Sequence, residues 1–250
     1  DIMELCGGEA RATQLAIRRK MSCGKNFDLV TGVDLNDPRQ MKLVEKYIDI
    51  HKPMLLIGAP TCTPFGPLSY VNREHAPKTW AASYALAAPH GRFIGFMCLK
   101  QVTEGRHFFS EQLFPSTLDL EPPWPELLAR AEVGRRVAHQ CMLGVKGPDK
   151  LPMKKPTSVT SSAIEMLEPF DNVKCDNKHE HSQTCTGKAL KAKQVWPWPF
   201  VQKVVDGASK LRKRLARKIP ATHIVARPAS QHAFPETAAG PDNSLENLPE

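Results

Sequence analysis

The sequence predicts an α/β fold: a Rossmann-like, mostly parallel sheet with helices on both faces, then a small irregular second region and a disordered C-terminal tail. Three observations lead there. Strand-like apolar runs alternate with helical patterns through the first 110 residues. Of the 250 residues, 41 % are hydrophobic and 24 % charged, which is ordinary globular usage and excludes collagen-like and wholly disordered classes. From Ile219 onward Pro, Ala, Ser, Asn and Glu dominate, a composition that cannot bury a core.

Taken in order, Ile2–Cys6 reads as a short strand ending in Gly7-Gly8, and Glu9–Lys20 as a helix with a charged outer face. Phe27–Val33 reads as a second strand ending at Asp34. Asp37 followed by Pro38 marks a helix start, an N-cap before an N1 proline. Met54–Ile57 is wholly apolar and is expected to be buried on both sides. It ends at Gly58-Ala59-Pro60-Thr61-Cys62. A long helix is expected around Trp80–Val102, interrupted at Pro89 and Gly91, and then a strand over Arg106–Ser110 ending at Glu111. Further on, a short helix from Pro122 to about Ala131, strands over Val137–Val145 and Leu151–Ser161, a polar Cys/His segment at 171–190 and a basic helix over Phe200–Lys218 are expected.

The formal charge of +8 is uneven: residues 219–250 carry −3 and residues 1–218 carry +11. A basic body fits a polyanionic partner such as nucleic acid, although surplus Lys and Arg also serve solubility. Lys210–Lys218 holds six basic residues in nine, a pattern for phosphate contacts or nuclear import, or simply a solvated helix. Seven widely spaced cysteines argue for a reducing, intracellular compartment rather than a disulfide scaffold. No run reaches the roughly 18–20 apolar residues of a membrane span. The opening directly on an apolar strand suggests a piece of a longer polyprotein.

In a parallel sheet, ligands gather at the carboxyl ends of the strands, where Gly7-Gly8, Asp34, Cys62 and Glu111 are expected. A glycine pair lets backbone approach a nucleotide-like ligand and frees helix N–H groups, or else merely turns the chain tightly. Asp34 suits a ribose hydroxyl, or else caps the next turn. Prolines 60, 64 and 67 stiffen the loop that presents Cys62, which is either a nucleophile needing local positive charge or a buried apolar cysteine. Glu111 is either a proton donor with a raised pKa among Phe108 and Phe109, or an ion-paired glutamate. Cys175-x3-His179-x-His181-x3-Cys185 has zinc-ligand residue types, although the spacing is also that of a solvated polar loop.

As an ordered set, Ile2–Ala10, Gly32-Val33-Asp34, Gly58–Phe65 with Ser69, and Phe108-Phe109-Ser110-Glu111-Gln112 resemble the C5-cytosine DNA methyltransferase family. Gln140–Gly144, Met153–Thr157, His179-Glu180-His181 and Trp196–Pro199 resemble patterns in its phage- and retroelement-associated members. The resemblance runs from residue 1 to about 215, and departs from the family pattern at Thr61 and Gln112. It implies S-adenosylmethionine as cofactor, held by Leu5, Cys6, Gly7, Gly8, Asp34, Leu35 and Pro60 in a catalytic domain over residues 1–120. It implies target contact through residues 121–200, with Thr63, Phe65, Lys154, Lys155 and Thr157 binding substrate. Cys62 would attack cytosine C6, with Glu111 at N3, on DNA or less readily RNA. A non-catalytic nucleic-acid-binding module on the same fold, retained in a mobile-element polyprotein, stays open beside this.

Overall fold

A computed structural model describes residues 1–183 and 194–217. Four parallel strands, β1 (Ile2–Leu5), β2 (Cys23–Phe27), β3 (Leu55–Gly58) and β4 (His107–Leu113), form one sheet with β5 (Gly134–His139) and β6 (Pro156–Ser161). The order is β2-β1-β3-β4-β6-β5, with β6 antiparallel to both its neighbours. The second region therefore extends the first region's sheet rather than building its own.

Strand alternation sorts the core into two layers. Ile2, Ile57 and Phe109 face one side with Ala12 and Ala16 of α1 (Arg11–Arg18). Phe200 and Val204 of the last described helix, here α7 (Trp198–Ala216), close that layer. Met3, Leu56 and Phe108 face the other side, against α2 (Pro38–His51) and α4 (Pro77–Thr103). Short helices α3 (Ser69–His75), α5 (Trp124–Ala129) and α6 (Ile164–Leu167) complete the described elements. No described helix is long and apolar enough to cross a membrane.

Three expected elements are placed differently. The second strand is Cys23–Phe27, not Phe27–Val33. Asp28 accepts a hydrogen bond from the Val30 N–H at 2.9 Å, and its own N–H donates to Thr31 Oγ1. These local bonds fold 29–31 into a 3₁₀ turn, overriding the apolar run. Glu111 lies inside β4, paired with Val159, rather than at its end. The β5–β6 hairpin is shorter than expected because Gly144, at φ 82°, ends a 3₁₀ turn over Gln140–Leu143. By contrast α4 runs through Pro89 without ending. Just beyond it, His90 Nδ1 lies 3.0 Å from the Leu86 carbonyl oxygen.

The basic helix packs back, and three of its cations meet acids. Lys210 meets Glu168 at 3.6 Å, Arg212 meets Asp1 at 3.2 Å, and Arg214 bonds Glu165. Asp1 precedes β1, so this basic end lies at the amino end of the sheet, opposite the carboxyl ends. Lys218 and the tail from 219 fall outside the described residues.

Phe200, fully buried, packs edge-on to Phe109 and tilted against Phe170 and Trp196. Phe200→Ala is expected to cost about 3–5 kcal/mol, the sum of lost transfer free energy and a cavity. Urea unfolding checks this: the midpoint falls while the slope holds.

Candidate active site

A cleft of about 660 Å³ opens over the carboxyl ends of β1 to β4. The registers explain why. Leu5 pairs with Gly58 and with Phe27, and Gly58 pairs with Ser110, so Cys6, Asp28, Ala59 and Glu111 all start one residue beyond a paired row.

The β1–α1 loop forms one wall. Cys6, Gly8 and Ala10 take left-handed φ of 55°, 53° and 51°. The Gly7 N–H donates to Asn26 Oδ1 at 3.2 Å, and the Gly8 N–H to Asp28 Oδ2 at 2.9 Å. A Cβ on Gly7 would lie 2.7 Å from Glu4 Oε2, whereas one on Gly8 would meet nothing within 4 Å. Gly7 is thus required by packing, and Gly8 is open. This corrects the expectation of free N–H groups at the glycine pair, since both are engaged within the protein. Glu4, fully buried, accepts from the Thr13 N–H at 2.7 Å and so caps α1 from the strand. Burial raises its pKa, against the bonds from Thr13. Burial, with Asp28 nearby, pushes the Cys6 thiol up to about 12, so Cys6 is an inert wall.

Two acids take the place expected for one. Asp28 directly follows β2, while Asp34 sits further on, its Oδ1 accepting from the Asn36 N–H at 2.9 Å. Both line the cleft with Leu35 and Asn36. Leu29 and Val30, 71 % and 72 % exposed, put apolar surface on the same rim.

The Cys62 loop is held from below. Gln112 Nε2 donates to the Pro60 carbonyl at 2.8 Å, and Trp80 Nε1 to the Pro64 carbonyl at 3.3 Å. The Thr61 N–H donates to His90 Nε2 at 3.3 Å. His90 Nδ1 faces the Leu86 carbonyl and Asn36 Oδ1, so the ring is the neutral tautomer with its proton on Nδ1. Burial lowers the His90 pKa, consistent with that form.

Glu111 is 8 % exposed and has three donors. Lys155 Nζ stands 3.5 Å and Gln140 Nε2 3.4 Å from Oε1, while Trp196 Nε1 stands 3.3 Å from Oε2. Burial raises the Cys62 pKa; the Glu111 charge raises it further, and Lys155 opposes both. The local positive charge expected beside the cysteine is therefore Lys155. At rest the group is a thiol.

Cys6, Gly7, Gly8, Asp34, Leu35, Pro60, Cys62, Thr63, Glu111 and Lys155 all line the cleft. Four expected residues do not. Leu5 is fully buried beneath it, and Phe65 is 1 % exposed against Tyr84. Thr157 is fully buried, its Oγ1 accepting from Gln140 Nε2 at 2.9 Å. Lys154 reaches Asn177 Oδ1 at 2.7 Å instead. In each case strand alternation or a neighbouring partner takes the side chain away from the cleft. Sequence reasoning missed Glu4, Asp28, His90 and Gln140. Only Asp28, an acid directly after a strand, left a signal that periodicity could have found.

Elsewhere, the expected metal ligands Cys175, His179 and His181 do come together, joined by Cys141. Cys185 lies outside the described residues.

Compared with known proteins, the chain matches no family model and none of the curated proteins.

The electrostatics of Cys62 are checked by its alkylation rate against pH, followed by peptide mass mapping. The midpoint is expected above the ordinary cysteine range. Glu111→Gln moves it down by removing a raising charge, and Lys155→Met moves it up by removing a lowering one. Midpoints that ignore both substitutions would separate Cys62 from Glu111.

Proposed function

We propose that the protein is an S-adenosylmethionine-dependent methyltransferase acting on C5 of cytosine in DNA. The observation that carries this reading is the convergence of Cys62, Glu111 and Lys155 beside a glycine-lined, acid-flanked cleft at the strand ends.

The residues present fit the cofactor. Carboxylates of Asp28 and Asp34 suit ribose hydroxyls, exposed Leu29 and Val30 suit a flat base, and Gly8 leaves backbone uncovered where a Cβ would meet nothing. S-adenosylmethionine, when bound, supplies the methyl group that C5 takes.

The chain's own residues account for the rest. Cytosine C6 is a poor electrophile, so Cys62 must react as thiolate. Its thiol is held protonated partly by the Glu111 charge. If the Cys62 proton passes to Glu111 as the base arrives, that charge disappears, Lys155 is left to stabilise the thiolate, and the carboxylic acid can donate to N3. Attack then forms the S–C6 bond while electron density moves toward the protonated N3. C5 becomes nucleophilic and is methylated; its proton then passes to water, the C5–C6 double bond re-forms as Cys62 leaves as thiolate, and N3 returns its proton to Glu111. Gln140 and Trp196 hold the Glu111 carboxyl through the transfer.

The base must leave its stack to reach Cys62. Leu68 and Tyr70, exposed in the sequence just after the loop, would fill the gap, and Arg73 over the Trp80 ring would offer a cation for phosphate. The paired charges of α7, at the opposite end of the sheet, support this role less than the sequence alone suggested.

Two measurements test the reading. In calorimetry with S-adenosylmethionine, Asp34→Ala is expected to weaken binding by about 1–3 kcal/mol, the loss of a hydrogen bond to a charged group. With cofactor and DNA carrying 5-fluorocytosine, elimination stalls for want of a C5 proton, and a denaturant-stable protein–DNA adduct is expected. Cys62→Ser abolishes it, since a serine hydroxyl ionises far less readily. Glu111→Gln slows it strongly. An adduct surviving Cys62→Ser places the nucleophile elsewhere. Cofactor and DNA binding without any adduct identifies the non-catalytic module instead.

A further inference from the structure

We infer that Cys141, Cys175, His179 and His181 form a closed tetrahedral zinc site that pins the 174–182 segment onto the β5–β6 connection. The inference does not rest on the methyltransferase reading.

The four ligand atoms lie within 4.8 Å of one another. Cys175 Sγ stands 3.6 Å from His179 Nε2 and 3.3 Å from His181 Nε2. Metal–ligand lengths of about 2.3 Å to sulfur and 2.0–2.1 Å to nitrogen, at tetrahedral angles, place sulfur and nitrogen ~3.5 Å apart. Cys175 already stands at that spacing from both imidazoles. Both cysteines are buried and both histidines half-buried. The Asn177 N–H donates to Cys175 Sγ at 3.3 Å, the kind of outer-shell bond that orients a coordinated thiolate.

Composition says what gathers these groups. Between Lys174 and Ser182 the sequence is Lys-Cys-Asp-Asn-Lys-His-Glu-His-Ser, without one aliphatic or aromatic hydrocarbon side chain. Apolar burial cannot drive such a segment to converge two thiols and two imidazoles, and a metal can. Two thiolates and two imidazoles select zinc over magnesium or calcium. With all four positions filled from the protein, the site is structural rather than catalytic. The fourth ligand is Cys141, 34 positions before Cys175; the Cys185 that spacing suggested lies outside the described residues.

The location gives the site a consequence. Cys141 follows Gln140, a donor to Glu111. The Gln140 N–H bonds the Lys155 carbonyl at 3.1 Å, and Lys155 is a second donor. The segment is also tied by the His139 N–H to the Val173 carbonyl at 2.7 Å and by the Ser182 N–H to the Pro152 carbonyl at 2.9 Å. Zinc thus braces the piece of chain that supports Glu111 from behind.

The full chain, purified without chelator, should carry about one zinc by elemental analysis, and cobalt substitution should give the absorption of a tetrahedral thiolate site. Cys141→Ser should lose the metal and Cys185→Ser keep it. Should Cys141→Ser fail to fold, alkylation of wild-type protein serves: zinc should protect Cys141 and Cys175 together, and a strong chelator should expose both. Folded, metal-free protein that binds no added zinc overturns the inference. So does zinc lost in Cys185→Ser but kept in Cys141→Ser, or a Cys141–Cys175 disulfide.

Discussion

Burial of the Glu111 carboxylate constrains the rest of the molecule. A carboxylate removed from water needs donors, and without them the cost runs to several kcal/mol. β4 cannot supply them, because its backbone groups are used in the ladder with β6. They come instead from three distant places: Lys155 ahead of β6, Gln140 after β5, and Trp196 ahead of α7. The antiparallel edge and the last helix must therefore both dock correctly for this one side chain to be satisfied. Replacing such a buried polar set with hydrocarbon is often neutral or stabilising, so its presence is better explained by chemistry than by stability.

The neighbouring residue works on the other face. Gln112, also buried, holds the Pro60 carbonyl, while His90 takes the Thr61 N–H. Successive residues of one strand thus support the acid and the thiol loop from opposite sides of the sheet. Proline restricts the loop's own torsions, and these two bonds fix it relative to the sheet. The thiol is kept protonated first by burial and then by the same carboxylate that the proposed chemistry needs, which links part of its reactivity to whatever neutralises Glu111.

Charge is distributed by the same logic. A basic helix reads from sequence as a surface for polyanions, yet α7 directs Lys210, Arg212 and Arg214 at Glu168, Asp1 and Glu165. Those pairs fasten the helix to α6, to Glu168 just after it and to the chain ahead of β1. The described cations that line the cleft are instead Arg11 and Lys155.

The parallel strands, the flanking helices and the membership of Gly8, Cys62 and Glu111 in one cleft were legible in the sequence, because a period of two or of 3.6 and the rule of strand carboxyl ends depend on local order alone. Where local order competes with itself the reading slipped: Asp28 folded an apolar run into a turn, and Phe65 went inward from a loop expected to touch substrate. Tertiary structure alone decided that Asp28 shares the cleft with Asp34, that His90 reaches Thr61 across 29 positions, and that Cys141 joins Cys175, His179 and His181. Such pairings are set by how sheet and helices pack. Spacing along the chain carries no information about which side chains that packing brings within bonding distance.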